Sequence, residues 1–153
     1  AVASISFNNC FSSAYDNYII NFQGNGTQTT PVDIAVRLRA SGVDNTTANQ
    51  EWLSLWGTNT AGPSRAYSNT FTYLHTGWVG DQANRNATTI TLYGPYAVRP
   101  TNYSALNSSS GASQANFGVF TGWHPAVTSF DGFTLFASTS TISGTARVYG
   151  YRN

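Results

Sequence analysis

The chain has 153 residues, of which 8% are charged and 14% are aromatic, and its net charge is only +1. A length of this order suits one domain, the aromatic content excludes a disordered chain, and the missing basic surplus excludes sequence-independent binding to nucleic acid. No apolar run approaches the roughly 20 residues of a membrane-spanning helix, so the sequence predicts a single domain, residues 1–153, without membrane insertion.

Short runs of alternating apolar and polar residues, separated by turn residues, predict an all-β domain. The clearest run is 32–40, in which Ile34, Val36 and Leu38 alternate with other residues as in a strand with one buried face. In chain order, the predicted strands are 4–11, 17–23, 32–40, 51–56, 70–78, 88–93, 115–123, 132–137 and 145–151. About nine short strands of this kind predict an antiparallel β-sandwich, most simply a jelly-roll-like one.

Segments rich in Asn, Thr, Gly and Pro separate these strands and predict surface loops. They are 44–49, 57–64, 80–86 and 101–113. The last of them contains three consecutive serines followed by Gly111, which favours a flexible surface loop over a domain boundary. Strand 115–123 is expected to end near His124, because the next residue is a proline.

Two segments, 15–20 and 130–135, share the order aromatic residue, Asp, turn residue, aromatic residue. This order predicts that Asp16 and Asp131 each form an Asx turn, in which the carboxylate accepts a nearby backbone N–H and a strand begins. The flanking aromatic side chains are expected to close one end of the core. We interpret the two segments as equivalent strands of two facing sheets.

No combination of residues in the sequence predicts a catalytic or metal site. His75, His124 and Cys10 lack the spacing of a transition-metal site, and a chain without lysine cannot form a phosphate-binding loop of the Walker type. No serine lies in a nucleophile elbow. We therefore expect no cofactor, no metal and no enzymatic activity, and we place Cys10 in the core rather than at an interface.

Two of the six carboxylates, Asp16 and Asp131, are assigned to turns, which leaves few for the pair that a glycosidase requires. Glu51 is the carboxylate of greatest chemical interest because it precedes Trp52, although a solvent-facing strand residue is the simpler interpretation. A depolymerising enzyme would need a second carboxylate close to it in a cleft.

Aromatic side chains in or beside turn-rich segments are the remaining candidates for a binding site. Flat rings can stack against sugars, and the abundant Asn, Thr, Asp and Arg side chains can bind hydroxyl groups. The candidate glycan-stacking residues are Trp56, Tyr67, Tyr96 and Tyr103. For any single ring, filling the core of a sandwich of this size is the simpler interpretation, but the positions of these four in or beside turn-rich segments favour exposure.

The two ends of the chain resemble a known class of module. The opening stretch 4–20 and segment 34–45, together with 129–135 and 142–152 near the end, look like the β-sandwich modules of tailed-bacteriophage virion proteins. The motifs of this resemblance encode strands and turns, and the middle of the chain, 46–113, is not covered by it. In the proteins that it resembles, such a module closes the chain of a longer protein.

The resemblance implies a virion location and a non-enzymatic role in a tail fibre or similar surface projection. It implies a homotrimer that contacts other virion proteins and a host-surface glycan. Two alternatives stay open at this point: a capsid decoration or connector protein, and a stand-alone carbohydrate-binding module of the lectin kind.

Overall fold

The fold is an antiparallel β-sandwich, seen in a computed structural model that describes residues 1–80, 86–110 and 115–153. These ranges contain no helix capable of spanning a membrane. Their twelve strands are β1 (Ser4–Phe7), β2 (Asn17–Gly26), β3 (Val32–Ala40), β4 (Val43–Asp44), β5 (Gln50–Thr58), β6 (Ser64–Phe71), β7 (Leu74–Val79), β8 (Asn86–Tyr93), β9 (Arg99–Ser110), β10 (Ala115–Thr128), β11 (Gly132–Ala137) and β12 (Ile142–Tyr151). The predicted all-β sandwich is confirmed.

The strands divide into a smaller and a larger sheet. The smaller sheet has the order β1-β11-β3, with β4 and β7 both paired with the far side of β3. The larger sheet has the order β12-β2-β8-β9-β10-β5-β6. In each sheet a strand from early in the chain pairs with one from near its end, β3 with β11 and β2 with β12.

The core lies between the two sheets and follows the predicted alternation. Ile34, Val36 and Leu38 of β3 are completely buried, and the predicted strand 32–40 matches β3 at both ends. At one end of the core, the ring of Phe11 lies 4.6 Å from that of Tyr18 and 5.9 Å from that of Phe133. This cluster is the predicted aromatic closure.

The described residues form twelve strands and not the predicted nine or so. The three additional strands, β4, β6 and β9, lie mostly in segments for which no strand was predicted. The largest error concerns the predicted loop 101–113, because this segment belongs to β9 as far as Ser110. Residues 111–114 lie outside the described ranges, and so do residues 81–85 of the predicted loop 80–86. β9 turns Thr101, Asn107 and Ser109 inward and Leu106 outward. Its apolar alternation is therefore inverted at several positions, which removes the signal that identifies a half-buried strand.

The predicted ends of two strands also differ from the structure. β10 does not end at His124 but continues to Thr128, with a register shift between these two residues. Pro125 lies at this irregularity, where a missing backbone donor is tolerated. The predicted strand 70–78 is divided, because β6 ends at Phe71 and β7 begins at Leu74 in the other sheet.

The predicted local turns at Asp16 and Asp131 are replaced by longer-range contacts. The carboxylate of Asp16 accepts the backbone N–H of Asn153 at 3.1 Å, and that of Asp131 accepts the backbone N–H of Ser41 at 2.8 Å. β2 and β11 still begin directly after these residues. The two aspartates therefore tie the starts of strands to distant parts of the chain.

A buried amide joins the two sheets at β7 and β9. The side chain of Asn107 accepts the backbone N–H of Trp78 at 3.1 Å and donates to the backbone carbonyl of the same residue at 2.9 Å. It also donates to the hydroxyl of Thr88 at 2.8 Å. Gly77 makes room for this contact, because a Cβ there would lie 2.3 Å from Cγ of Asn107. We call this arrangement the Asn107 bridge.

We predict that Asn107→Ala lowers the free energy of unfolding by about 3 kcal/mol, because it removes the partner of the partly buried N–H and C=O of Trp78 and opens a cavity. Urea denaturation measures the change. Asn102→Ala is the matched control, since Asn102 is an exposed asparagine on the same strand. An Asn107→Ala loss no greater than that of the control would contradict the bridging role.

Candidate functional site

The four predicted stacking residues do not form one platform. Tyr67 is 81% exposed on the edge strand β6, and Tyr96 is 39% exposed in the connection between β8 and β9. Trp56 is partly buried on β5, where its ring meets that of Trp78 at 5.2 Å. The structure places these residues on separate parts of the fold.

The expected exposure of Tyr103 is wrong. Its side chain lies in the core, and its hydroxyl donates to the backbone carbonyl of His75 at 2.8 Å. Burial raises the pKa of this phenol far above its usual value. Tyr103 therefore links β9 to β7 beside the Asn107 bridge, and it offers no face to a ligand.

The outer face of the larger sheet carries an apolar patch that the sequence did not reveal. Leu106 on β9, Val119 on β10 and Leu55 on β5 are direct cross-strand partners, and each is more than half exposed. Leu53, two residues before Leu55 on β5, and Phe117, two residues before Val119 on β10, extend the group towards opposite ends of the sheet. Their exposed fractions are 46% and 53%. We call Leu53, Leu55, Leu106, Phe117 and Val119 the apolar patch. A shallow depression of about 500 Å³ lies over most of it.

A second feature of the same face lies next to the apolar patch, nearer the start of β5. Tyr93, Asn102, Trp123 and Glu51 are successive cross-strand partners on β8, β9, β10 and β5. We call these four residues the aromatic row. Tyr93, Asn102 and Glu51 are exposed, and Trp123 is partly buried. The row combines two rings, an amide and a carboxylate on one surface.

The acidic side chains do not provide a catalytic pair in the described part of the chain. Asp44 is bound by Arg39 and by the hydroxyl of Thr134, the latter at 2.6 Å. Asp33 faces the ring of His75, with 3.4 Å between its Oδ1 and Nε2. With Asp16 and Asp131 accepting backbone N–H groups, the four described aspartates all have structural partners.

Metal ligands are equally dispersed, since the described residues contain no group of three His, Cys, Asp or Glu side chains able to hold an ion. Cys10 packs against the core, and burial raises its pKa to about 11, which keeps the thiol protonated and poorly nucleophilic. His75 is enclosed by the rings of Trp52, Trp78 and Phe120. These groups support packing in the described fold.

His124 is a completely buried histidine at the irregular part of β10. Its Nδ1 accepts the backbone N–H of Ala126 at 3.2 Å, and its ring meets that of Phe130 at 5.0 Å. Burial lowers its pKa to about 4. The native imidazole is therefore neutral at physiological pH.

Comparison of the chain with protein-family models, with curated proteins and with solved structures gives no match. The apolar patch and the aromatic row of the larger sheet are therefore the features that bear on function.

We predict that stability falls by about 3 kcal/mol between pH 7 and pH 4 because of His124 alone. The native pKa of His124 lies below its usual value of 6.5, so between these two values the unfolded chain binds a proton that the native state does not. The stabilisation is therefore complete above pH 6.5 and is lost as the pH falls towards 4. Urea denaturation at several pH values measures this dependence.

The test variant is His124→Asn, whose side-chain oxygen can still accept the N–H of Ala126. It should unfold with a shallower dependence on pH than the unaltered chain, whatever its stability at pH 7. Parallel curves for the two proteins between pH 7 and pH 4 would show that His124 is not responsible.

Proposed function

We propose that this domain is a non-enzymatic structural module of a tailed-phage virion, placed in a tail fibre or similar surface projection. It associates with identical copies as a homotrimer, meets other virion proteins and contacts the host surface. The observation that supports self-association is the apolar patch. The virion class and the threefold state come from the resemblance of the chain ends to phage β-sandwich modules.

The apolar patch has the size expected of an interaction surface. Together with the neighbouring Tyr67, its side chains expose on the order of 600 Å², compared with about 800 Å² per partner in a standard interface. This area is at the upper end of the range of about 300–600 Å² found for the largest apolar patch of a typical monomer, and such patches are often functional. A second copy of the chain fits it best, because the net charge of +1 provides little repulsion between copies.

The charged side chains near the patch support the same conclusion. Arg65 is the cross-strand partner of Leu55, and Glu51 lies four residues earlier on β5. A cation and an anion at the margins of one apolar surface favour contact with another copy of that surface, because opposite charges can then face each other. They also fix the register between copies.

The proposal predicts that the isolated domain has three times the monomer mass in light scattering at about 100 μM, a concentration that populates micromolar complexes. Leu55→Arg should raise the dissociation constant at least tenfold, because each copy then places a cation inside an apolar contact. Thr145→Arg is the matched control, since Thr145 is exposed on β12, at the opposite edge of the larger sheet from β5 and β6. Its mass should be unchanged.

A monomer at every concentration, or equal dissociation of both variants, would refute assembly through this patch. A stable trimer that shows no adsorption to bacterial cells would instead favour the capsid decoration or connector alternative. The lectin alternative is favoured by a different observation, the aromatic row.

A further inference from the structure

A shallow depression of about 330 Å³ lies beside Trp123 on the larger sheet, and it shares only Leu53 with the apolar patch. Its volume is at the lower end of the range for small-molecule sites. Three of the four residues of the aromatic row line it, and all of its lining residues belong to β5, β9 or β10. Its lining residues are Glu51, Trp52, Leu53, Asn102, Thr121, Gly122 and Trp123.

Strands β5 and β10 approach closely at Gly122, which lines the depression. A Cβ at this position would lie 1.9 Å from the backbone oxygen of Glu51, so no other residue fits without moving β5 away from β10. Glu51 and Trp123 are direct cross-strand partners on the outer face at the same place. Side chains of such partners begin about 5 Å apart, which brings the carboxylate beside the indole ring.

The polar groups around the indole are available to a ligand. Asn102, on the other side of Trp123, is exposed and can both donate and accept hydrogen bonds. Glu51 is exposed, and within the described residues no ion pair joins its carboxylate to a basic side chain. The hydroxyl of Thr121 donates to the backbone carbonyl of Tyr103 at 3.0 Å and retains its acceptor capacity.

The geometry points to a binding site for a neutral saccharide, with one sugar ring stacked on Trp123. An aromatic plane suits the C–H face of a pyranose, while Glu51 accepts hydrogen bonds from hydroxyl groups and Asn102 bonds to them in either direction. The carboxylate disfavours sugars that carry carboxylate, sulfate or phosphate, because like charges repel. This inference specifies the host-contacting part of the proposed function and does not depend on the assembly state.

The remainder of the aromatic row extends the surface beyond one sugar. Tyr93 lies two strands from Trp123, a separation of about 10 Å. The Tyr93 hydroxyl lies 3.3 Å from that of Ser104. Burial is the main cause of the raised pKa of Tyr151 on β12, and the nearby Tyr93 is the second cause. A chain of neutral sugars that crosses the strands can contact both rings. An oligosaccharide should therefore bind more tightly than its monosaccharide.

The test is an array of neutral and acidic oligosaccharides, followed by tryptophan fluorescence titration with the neutral glucan, mannan or galactan fragment that binds. Trp123→Ala should weaken binding at least tenfold, and Glu51→Gln should weaken it severalfold while preserving the shape of the site. Tyr149→Ala is the matched control, because Tyr149 is an exposed aromatic residue on β12 of the same sheet, outside the depression. It should bind like the unaltered chain.

Glu51→Gln keeps the test valid if Trp123→Ala fails to fold, since Glu51 lies on the surface. An array without neutral ligands, a preference for acidic glycans, or unchanged binding in Glu51→Gln and in a folded Trp123→Ala would overturn the site. Light scattering of the same samples separates this failure from a failure of assembly: a trimer without glycan binding refutes only the site, and a glycan-binding monomer refutes only the assembly.

Discussion

The hydrogen bonds between Asn107 and the backbone of Trp78 determine how the two sheets sit on each other. Apolar packing between sheets has little directional preference, whereas an amide that pairs with both the N–H and the C=O of one residue fixes position and orientation. The hydroxyl of Tyr103 adds a second contact of this kind, to the carbonyl of His75. Both come from β9 and both end on β7, so these two strands set the register of the sandwich.

The Asn107 bridge explains why β9 was the least predictable strand. A strand that inserts polar side chains between sheets reverses the apolar pattern by which half-buried strands are identified. β3 has the opposite character, because Ile34, Val36 and Leu38 fill the core and its bounds were predicted to the residue. The sequence therefore predicted β3, whose inward side chains are aliphatic, better than β9, whose inward side chains are largely polar.

The apolar patch and the aromatic row could not be predicted from the sequence for a related reason. Leu106 looks like a core residue in the sequence, and it belongs to the apolar patch only because β9 turns Asn107 inward. Glu51 and Trp123 are far apart in the chain and become neighbours through the register of β5 and β10. Glu51 had been identified as the carboxylate of greatest interest, but no local motif could supply its aromatic partner.

The low charge of the chain gains significance from where the charges lie. Arg39 is bound by Asp44, Asn8 and Thr134, and the guanidinium of Arg37 lies 4.3 Å above the ring of Phe136. These two basic groups have their partners beside the smaller sheet, away from the apolar patch. The apolar patch and the aromatic row occupy neighbouring positions of β5, β9 and β10. If copies associate through the patch as proposed, the row lies at the rim of the contact, where polar groups remain open to a ligand.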